Sequence, residues 1–178
     1  MQMSLVLTVI GDDRPGIVEA LAEQVLAAGA NWEESRMARL GGKFAGLLRV
    51  TVDASTAADL ATRLTALDSG GLTVVVERSS DVAETARRTL RLELVGDDRP
   101  GIVHDVARVL ADQHINIEEL ETGITSAPMS GELLFRATAH LRVPSSVTLE
   151  SLRRQLEALA GELMVDLEIE DVEDEGRT

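Results

Sequence analysis

Aspartate, arginine and glycine come together in one short motif that could handle a charged ligand. The run Gly11-Asp12-Asp13-Arg14-Pro15-Gly16-Ile17-Val18 returns unchanged 85 positions later, from Gly96 to Val103. Each copy follows an apolar run and precedes a helical pattern, so each spans a strand-to-helix turn. A helix N-terminus presents N–H groups without intrahelical acceptors and a partial positive charge, which suits a carboxylate. Pro15 has no N–H, so the donors would be Gly16 and Ile17, and Gly16 would let a ligand approach the backbone closely. Gly101 and Ile102 hold the same places in the second copy. Asp13 and Asp98 stand just before these donors and can accept from an ammonium group. Asn31 and Asn116 open the strand after each helix, which the fold is expected to bring alongside the first, and offer both a donor and an acceptor. Together these groups are the polar complement of a free amino acid. The same residues also make an ordinary helix start, with acids favouring the dipole, proline presetting φ and asparagine as a turn residue after Gly29. Both readings stand at this level.

No other spacing suggests chemistry. His104, His114 and His140 are the only histidines, and none falls in an HExxH, GxSxG, phosphate-loop or dinucleotide pattern. The pairs Asp12-Asp13 and Asp97-Asp98 read as solvated turn acids rather than cation ligands. The chain has no cysteine, which excludes disulfides, thiolate zinc sites and cysteine nucleophiles. Neither catalysis nor a metal or cofactor is expected.

The elements that must position the motif are also repeated. Asn31-Trp32-Glu33-Glu34 matches Asn116-Ile117-Glu118-Glu119 at the same offset, so whole units are duplicated. Leu47-Leu48-Arg49 aligns with Leu134-Phe135-Arg136, and Leu60, Leu64 and Leu67 with Leu152, Leu156 and Leu159, at growing offsets that place insertions in the second unit's loops. In the first unit, strands are expected at 4–10, 31–40, 43–52 and 72–78. Pro15 should open a helix carrying Ile17, Leu21, Val25 and Ala28. Gly41-Gly42 reads as a two-residue hairpin turn, and Thr56-Ala57-Ala58-Asp59 as a capping box before the second helix. The second unit repeats the plan with strands near 89–95, 116–125, 132–143 and 165–169 and a longer hairpin through 126–131.

The order β-α-β-β-α-β predicts an α+β chain of two ferredoxin-like domains, each an antiparallel four-stranded sheet with two helices on one face. Domains are expected at 1–78 and 89–172, with a linker at 79–88 and an acidic tail at 173–178. The uncovered sheet faces should be largely aliphatic and should bury against another copy of the unit, either within the chain or in a homodimer.

Charge narrows the partners. The net charge is −14 and aromatics are 2% of residues, so phosphate neutralisation and base stacking are both disfavoured, and direct nucleic-acid binding is not expected. Met1 to Ile10 has neither a basic start nor a long apolar run, so a soluble cytoplasmic protein without membrane contact is expected.

The Asp-Arg-Pro-Gly-Ile motif after the first strand, with Asn-Trp or Asn-Ile opening the second, resembles the ACT domain, a ferredoxin-like module that binds amino acids and regulates metabolic enzymes. The resemblance covers nearly the whole chain, twice. Two such units without a catalytic domain are most similar to the glycine cleavage system transcriptional repressor family. The resemblance implies a regulator that contacts a DNA-binding activator or a metabolic enzyme, with an amino acid such as glycine or serine as modulator. The alternative is an adaptor that has lost its ligand. In ligand-binding members an Asn occupies the loop before Pro-Gly and a second Asn opens the next strand. The matching positions are Asp13 and Asn31, and Asp98 and Asn116. A His common two residues before the loop Asn is replaced by Gly11 and Gly96. The resemblance also implies units paired side by side, with ligand sites at the seam.

Overall fold

Alternation of apolar residues decides which face each strand buries. In the computed structural model, which describes residues 1–79, 88–127 and 131–172, Leu5, Leu7 and Val9 of β1 (Gln2–Asp12) are buried and their neighbours face the other way. The expected acidic tail and the linker, apart from Ser79 and Arg88, lie outside the described residues, as does 128–130 of the second hairpin. The chain divides into two units, Met1–Val82 and Ala83–Thr178. The first runs β1, α1 (Ile17–Ala27), β2 (Asn31–Leu40), β3 (Lys43–Asp53), α2 (Ala57–Thr65), a 3-10 turn (Ala66–Gly70) and β4 (Leu72–Arg78). The second runs β5 (Arg88–Asp97), α3 (Ile102–Asp112), β6 (Asn116–Ser126), β7 (Leu133–Val143), α4 (Leu149–Leu163) and β8 (Val165–Asp171). All neighbours are antiparallel, in the orders β2-β3-β1-β4 and β6-β7-β5-β8. This is the ferredoxin-like arrangement expected from the sequence.

Each unit has its own aliphatic core between one sheet face and its two helices. Ile17, Leu21 and Val25 of α1 and Leu60 and Leu64 of α2 close over Leu7, Val9, Leu48 and Val50. Ile102, Val106 and Leu110 of α3 and Leu152, Leu156 and Leu159 of α4 do the same over Leu92, Leu94 and Leu141. Both first helices end in a Schellman motif. Gly29 and Ala30 donate to Leu26 and Val25, and His114 and Ile115 donate to Ala111 and Leu110. The left-handed position is Gly29 in one unit and His114, φ 56°, in the other.

Four local expectations need correction. Pro15 does not open α1; the helix starts at Ile17, and Gly16 is its N-cap with φ 91° and ψ 0°. Those angles belong to the third residue of a type II turn, the place Pro-Gly favours, so the proline presets a turn rather than a helix. Thr56 makes no capping box: its hydroxyl donates to the Asp53 carbonyl and Asp59 pairs with Arg63. The cap forms instead at Thr148, which accepts from the Ser151 N–H. The third strands align differently from the Leu-Leu-Arg match, because Phe44 and Phe135 occupy the same register opposite Gly11 and Gly96. The insertion therefore sits in the β6–β7 hairpin, while Gly41 and Gly42, both at positive φ, make the tight β2–β3 turn.

The fourth correction concerns the uncovered faces. In the first unit that face is aliphatic, with Val6, Ile10, Leu47 and Val75 turned outward. In the second the four matching positions hold Arg91, Val95, Thr138 and Glu168, and Glu93, Arg136, His140 and Asp166 share the face, so it is largely charged. Burial of both faces against apolar surface is therefore not required.

Candidate functional site

Gly11 ends the core-facing row of β1 where β4 crosses close beside it. A Cβ at Gly11 would lie 2.7 Å from the Gly71 carbonyl oxygen, and one at Gly96 would run into the Val165 side chain. No histidine fits at either position, which explains this departure from the sequence pattern of ligand-binding relatives.

Beyond Gly11 the three charged side chains of the first loop all find partners within their own unit. Lys43, opposite Asp12 in the β1–β3 register, donates to its carboxylate and holds that carboxyl below its ordinary range. Arg39 Nε reaches Asp13 Oδ2 at 2.6 Å, and the Asp13 N–H donates to the Gly42 carbonyl at 3.0 Å. Arg14 Nη2 donates to the Gly70 carbonyl at 2.7 Å, tying the loop to the turn before β4. Gly16 and the buried Ile17 then start α1. Glu19 lies in the helix's first turn, with Oε2 3.9 Å from where a Gly16 Cβ would be, so the chain sets a carboxylate of its own near the positive helix end.

The identical loop of the second unit lacks the three side-chain ties, although Asp105 takes the place of Glu19 in the first turn of its helix, with Oδ2 3.8 Å from where a Gly101 Cβ would be. Leu134 replaces Lys43 opposite Asp97, and Ile124 takes the register place of Arg39. The Asp98 N–H still donates to a hairpin carbonyl, that of Leu133, at 3.2 Å. Among the described residues, no ion pair or hydrogen bond engages the carboxylates of Asp97 and Asp98. Arg99 Nη2 is buried with no hydrogen-bond partner. Gly101, at φ 100°, caps α3, and Ile102 begins it beneath a buried surface.

Asn31 and Asn116 do not join these loops. Asn31 pairs with Thr51, which pairs with Ser4 at the start of β1, whereas Asp13 follows Asp12 at its end. Eight residues of β1 separate the two levels, about 27 Å of extended chain. Asn116 likewise lies level with Thr89, at the end of the sheet away from Asp98. The expectation that the second strand lies beside the first is wrong, because the third strand inserts between them and leaves the second at the edge. Asp13 with Asn31, or Asp98 with Asn116, cannot serve one ligand within a single unit.

An ACT-domain model matches residues 3–77 and another matches residues 84–166. The chain belongs to the ACT-domain family. It carries two ACT domains in tandem, and it is 28% identical over 166 residues to the glycine cleavage system transcriptional repressor of Escherichia coli, covering 91% of this chain and 86% of that protein. Among solved structures it is similar to a protein of unknown function from Galdieria sulphuraria (TM-score 0.83, 33% identity, 97% of this chain and 100% of that one). It is also similar to a protein assigned as a glycine cleavage system transcriptional repressor (TM-score 0.71, 25% identity, 97% and 99%).

Sequence reasoning missed the partners of the ACT loops. Arg39 and Lys43 lie outside the repeated octapeptide, and only strand register shows that they face it. It also missed the function of the repeated Glu pair. A β-bulge at Glu33 lets both Glu33 and Glu34 reach Arg49 (3.2 and 3.4 Å), and one at Glu118 sends Glu118 to Arg142 (2.6 Å) and Glu119 to His140 (3.1 Å). The remaining histidines are local: His104 pairs with Asp105 at 3.0 Å, and His114 ends α3. Among the described residues no group of three or more His, Asp or Glu could hold a metal, and no helix is long and apolar enough to cross a membrane. The second unit encloses a cavity of about 20 Å³ between α3 and the sheet, lined by Leu94, Ile102, Val106, Leu110, Phe135 and Ala137 among others. It has water-sized room and an apolar lining, so it is a dry packing gap and too small for an amino acid.

Proposed function

We propose that this ACT-domain chain is a non-catalytic cytoplasmic regulator, with domains at 1–78 and 89–172. It binds an amino acid such as glycine or serine and thereby modulates a partner protein such as a transcriptional activator. The observation that carries this reading is the strand-to-helix loop present twice with an identical sequence, in a chain related over most of its length to a protein named for repressing the glycine cleavage system. The loop offers a carboxylate for the ligand's ammonium, Asp13 or Asp98, and helix-start N–H groups at Gly16 and Ile17 or Gly101 and Ile102 for its carboxylate. Asn31 and Asn116 contribute only from a second copy of the fold, which fits a homodimer. The charge of −14 favours action through a protein over contact with DNA.

A second reading, an adaptor that works through its surface alone, is favoured by the first loop, whose Asp13 and Arg14 are already engaged. A thermal-shift screen of the full chain against the twenty amino acids, followed by calorimetry, separates the two. Saturable stabilisation by glycine or serine supports the regulator that senses a ligand. No stabilisation by any amino acid at millimolar concentration refutes it in favour of the adaptor.

A further inference from the structure

The duplication supplies its own control, because the same eight residues sit in two different settings. We infer that the loop of the second unit, Gly96–Val103, is the ligand-responsive one, and that the loop of the first unit is closed on itself and serves the fold. The inference rests on the amino-acid reading above and adds which site acts and which residue receives the ligand's carboxylate.

The difference lies in three neighbours. Lys43, Arg39 and the Gly70 carbonyl satisfy Asp12, Asp13 and Arg14. Their counterparts in the second unit cannot do so. Leu134 and Ile124 carry no charge. Where the first unit unwinds into a 3-10 turn that offers Gly70's carbonyl, α4 keeps its α winding to Leu163 and turns at Met164, φ 52°. Arg99 Nη2 is consequently left buried and unpaired. A buried guanidinium donor without an acceptor is costly, and the cost falls away when an anion reaches it. The acceptor that fits is a planar carboxylate, which a guanidinium grips through two N–H groups. The α3 N-terminus, starting at Ile102, adds N–H groups without intrahelical acceptors on the same loop, with Asp105 in its first turn as Glu19 is in that of α1, so the helix start is common to both units and the contrast lies in the side chains of Asp97, Asp98 and Arg99. Asp97 and Asp98, on the same stretch, complement an ammonium. A carboxylate and an ammonium on one small molecule describe a free α-amino acid, and a simple anion would leave the two aspartates unanswered.

The test uses the full chain and calorimetry with glycine and serine. The expected result is one ligand per chain. Arg99→Gln should weaken binding about tenfold to a hundredfold, the loss of a charge-assisted pair, while Arg14→Gln leaves affinity unchanged within twofold. Because Arg99→Gln could disturb the fold, a second variant carries the first unit's partners into the second, Ile124→Arg with Leu134→Lys. It leaves Arg99 intact, and it should abolish binding while circular dichroism stays native. Two ligands per chain, equal losses from Arg14→Gln and Arg99→Gln, or undiminished binding in both second-unit variants would overturn the inference and leave the amino-acid reading standing. Absence of binding by the unaltered chain would remove both.

Discussion

Gly11→Ala should destabilise the first ACT unit, and the size of the effect can be worked out from its neighbours. The new Cβ would lie 2.7 Å from the Gly71 carbonyl oxygen, 3.0 Å from Leu72 Cδ1 and 3.4 Å from Leu72 Cα. Leu72 is buried, so its side chain cannot swing aside, and Gly71 presents backbone. Forcing a methyl into such a place costs about 1–3 kcal/mol. Against this, alanine lowers the unfolded chain's entropy, a gain of about 0.4–1 kcal/mol where the backbone conformation suits it. The net expectation is a loss of about 1–2 kcal/mol. Trp32 is the only tryptophan and packs against the first unit's core, so its fluorescence during urea unfolding reports that unit. With a urea slope of about 1 kcal/mol/M for a unit of this size, the Trp32 midpoint should fall by about 1–2 M. Gly161→Ala is the control: it lies in α4 with nothing within 4 Å of its Cβ, and should stabilise that helix by about 1 kcal/mol. A Trp32 midpoint that stays put or rises in Gly11→Ala would refute the claim that close approach of β4 dictates glycine at this position.

Two further outcomes follow from the same geometry. Gly101→Ala should cost about 1–2 kcal/mol in denaturant unfolding, because φ 100° is open to glycine and penalised for any residue with a Cβ, although nothing nearer than Asp105 Oδ2 at 3.8 Å crowds the site. Asp53 accepts from the Ser55 N–H and hydroxyl, which lowers its pKa from 3.8 to about 2. Its folded-state value lies below the unfolded one, so its contribution to stability is present above pH 4 and is lost as pH falls from 3.8 through about 2. Carboxyl-carbon NMR should give a midpoint near 2 for Asp53 that moves back towards the ordinary value in Ser55→Ala.

The fold was legible because each unit's signals agree. Alternation in β1, the four-residue spacing of Ile17, Leu21 and Val25, and the Gly41-Gly42 turn each point to one element, and duplication supplies the reading twice. The site was less legible for a topological reason. Asn31 stands near Asp13 in sequence, and consecutive strands invite the assumption of adjacency, but the hairpin partner β3 takes that place. Arg39 and Lys43 stand outside the repeat because they are what the second unit lacks. Their effect appears only when strand register sets Ile124 and Leu134 in the same positions. Pro15 was misplaced because proline favours both a helix start and a type II turn, and the following Gly16 decides between them. The charged open face of the second unit is legible in Arg91 and Glu93, which alternate with Leu90, Leu92 and Leu94 and so fall on the face opposite the core.

The bulges at Glu33 and Glu118 bear on how these edge strands behave in a crowded solution. β2 and β6 are the outermost strands on their sides of the sheets, and an unguarded edge is a template on which any extended peptide can add. An extra residue at the start of each strand breaks the even spacing of outward-facing N–H and C=O groups, so an incoming chain that pairs with the later residues falls out of step on reaching Asn31 or Asn116. The regular part of each edge is thereby shortened to the segments after the bulges, Ser35–Leu40 and Leu120–Ser126, which leaves less of the strand on which another chain could add.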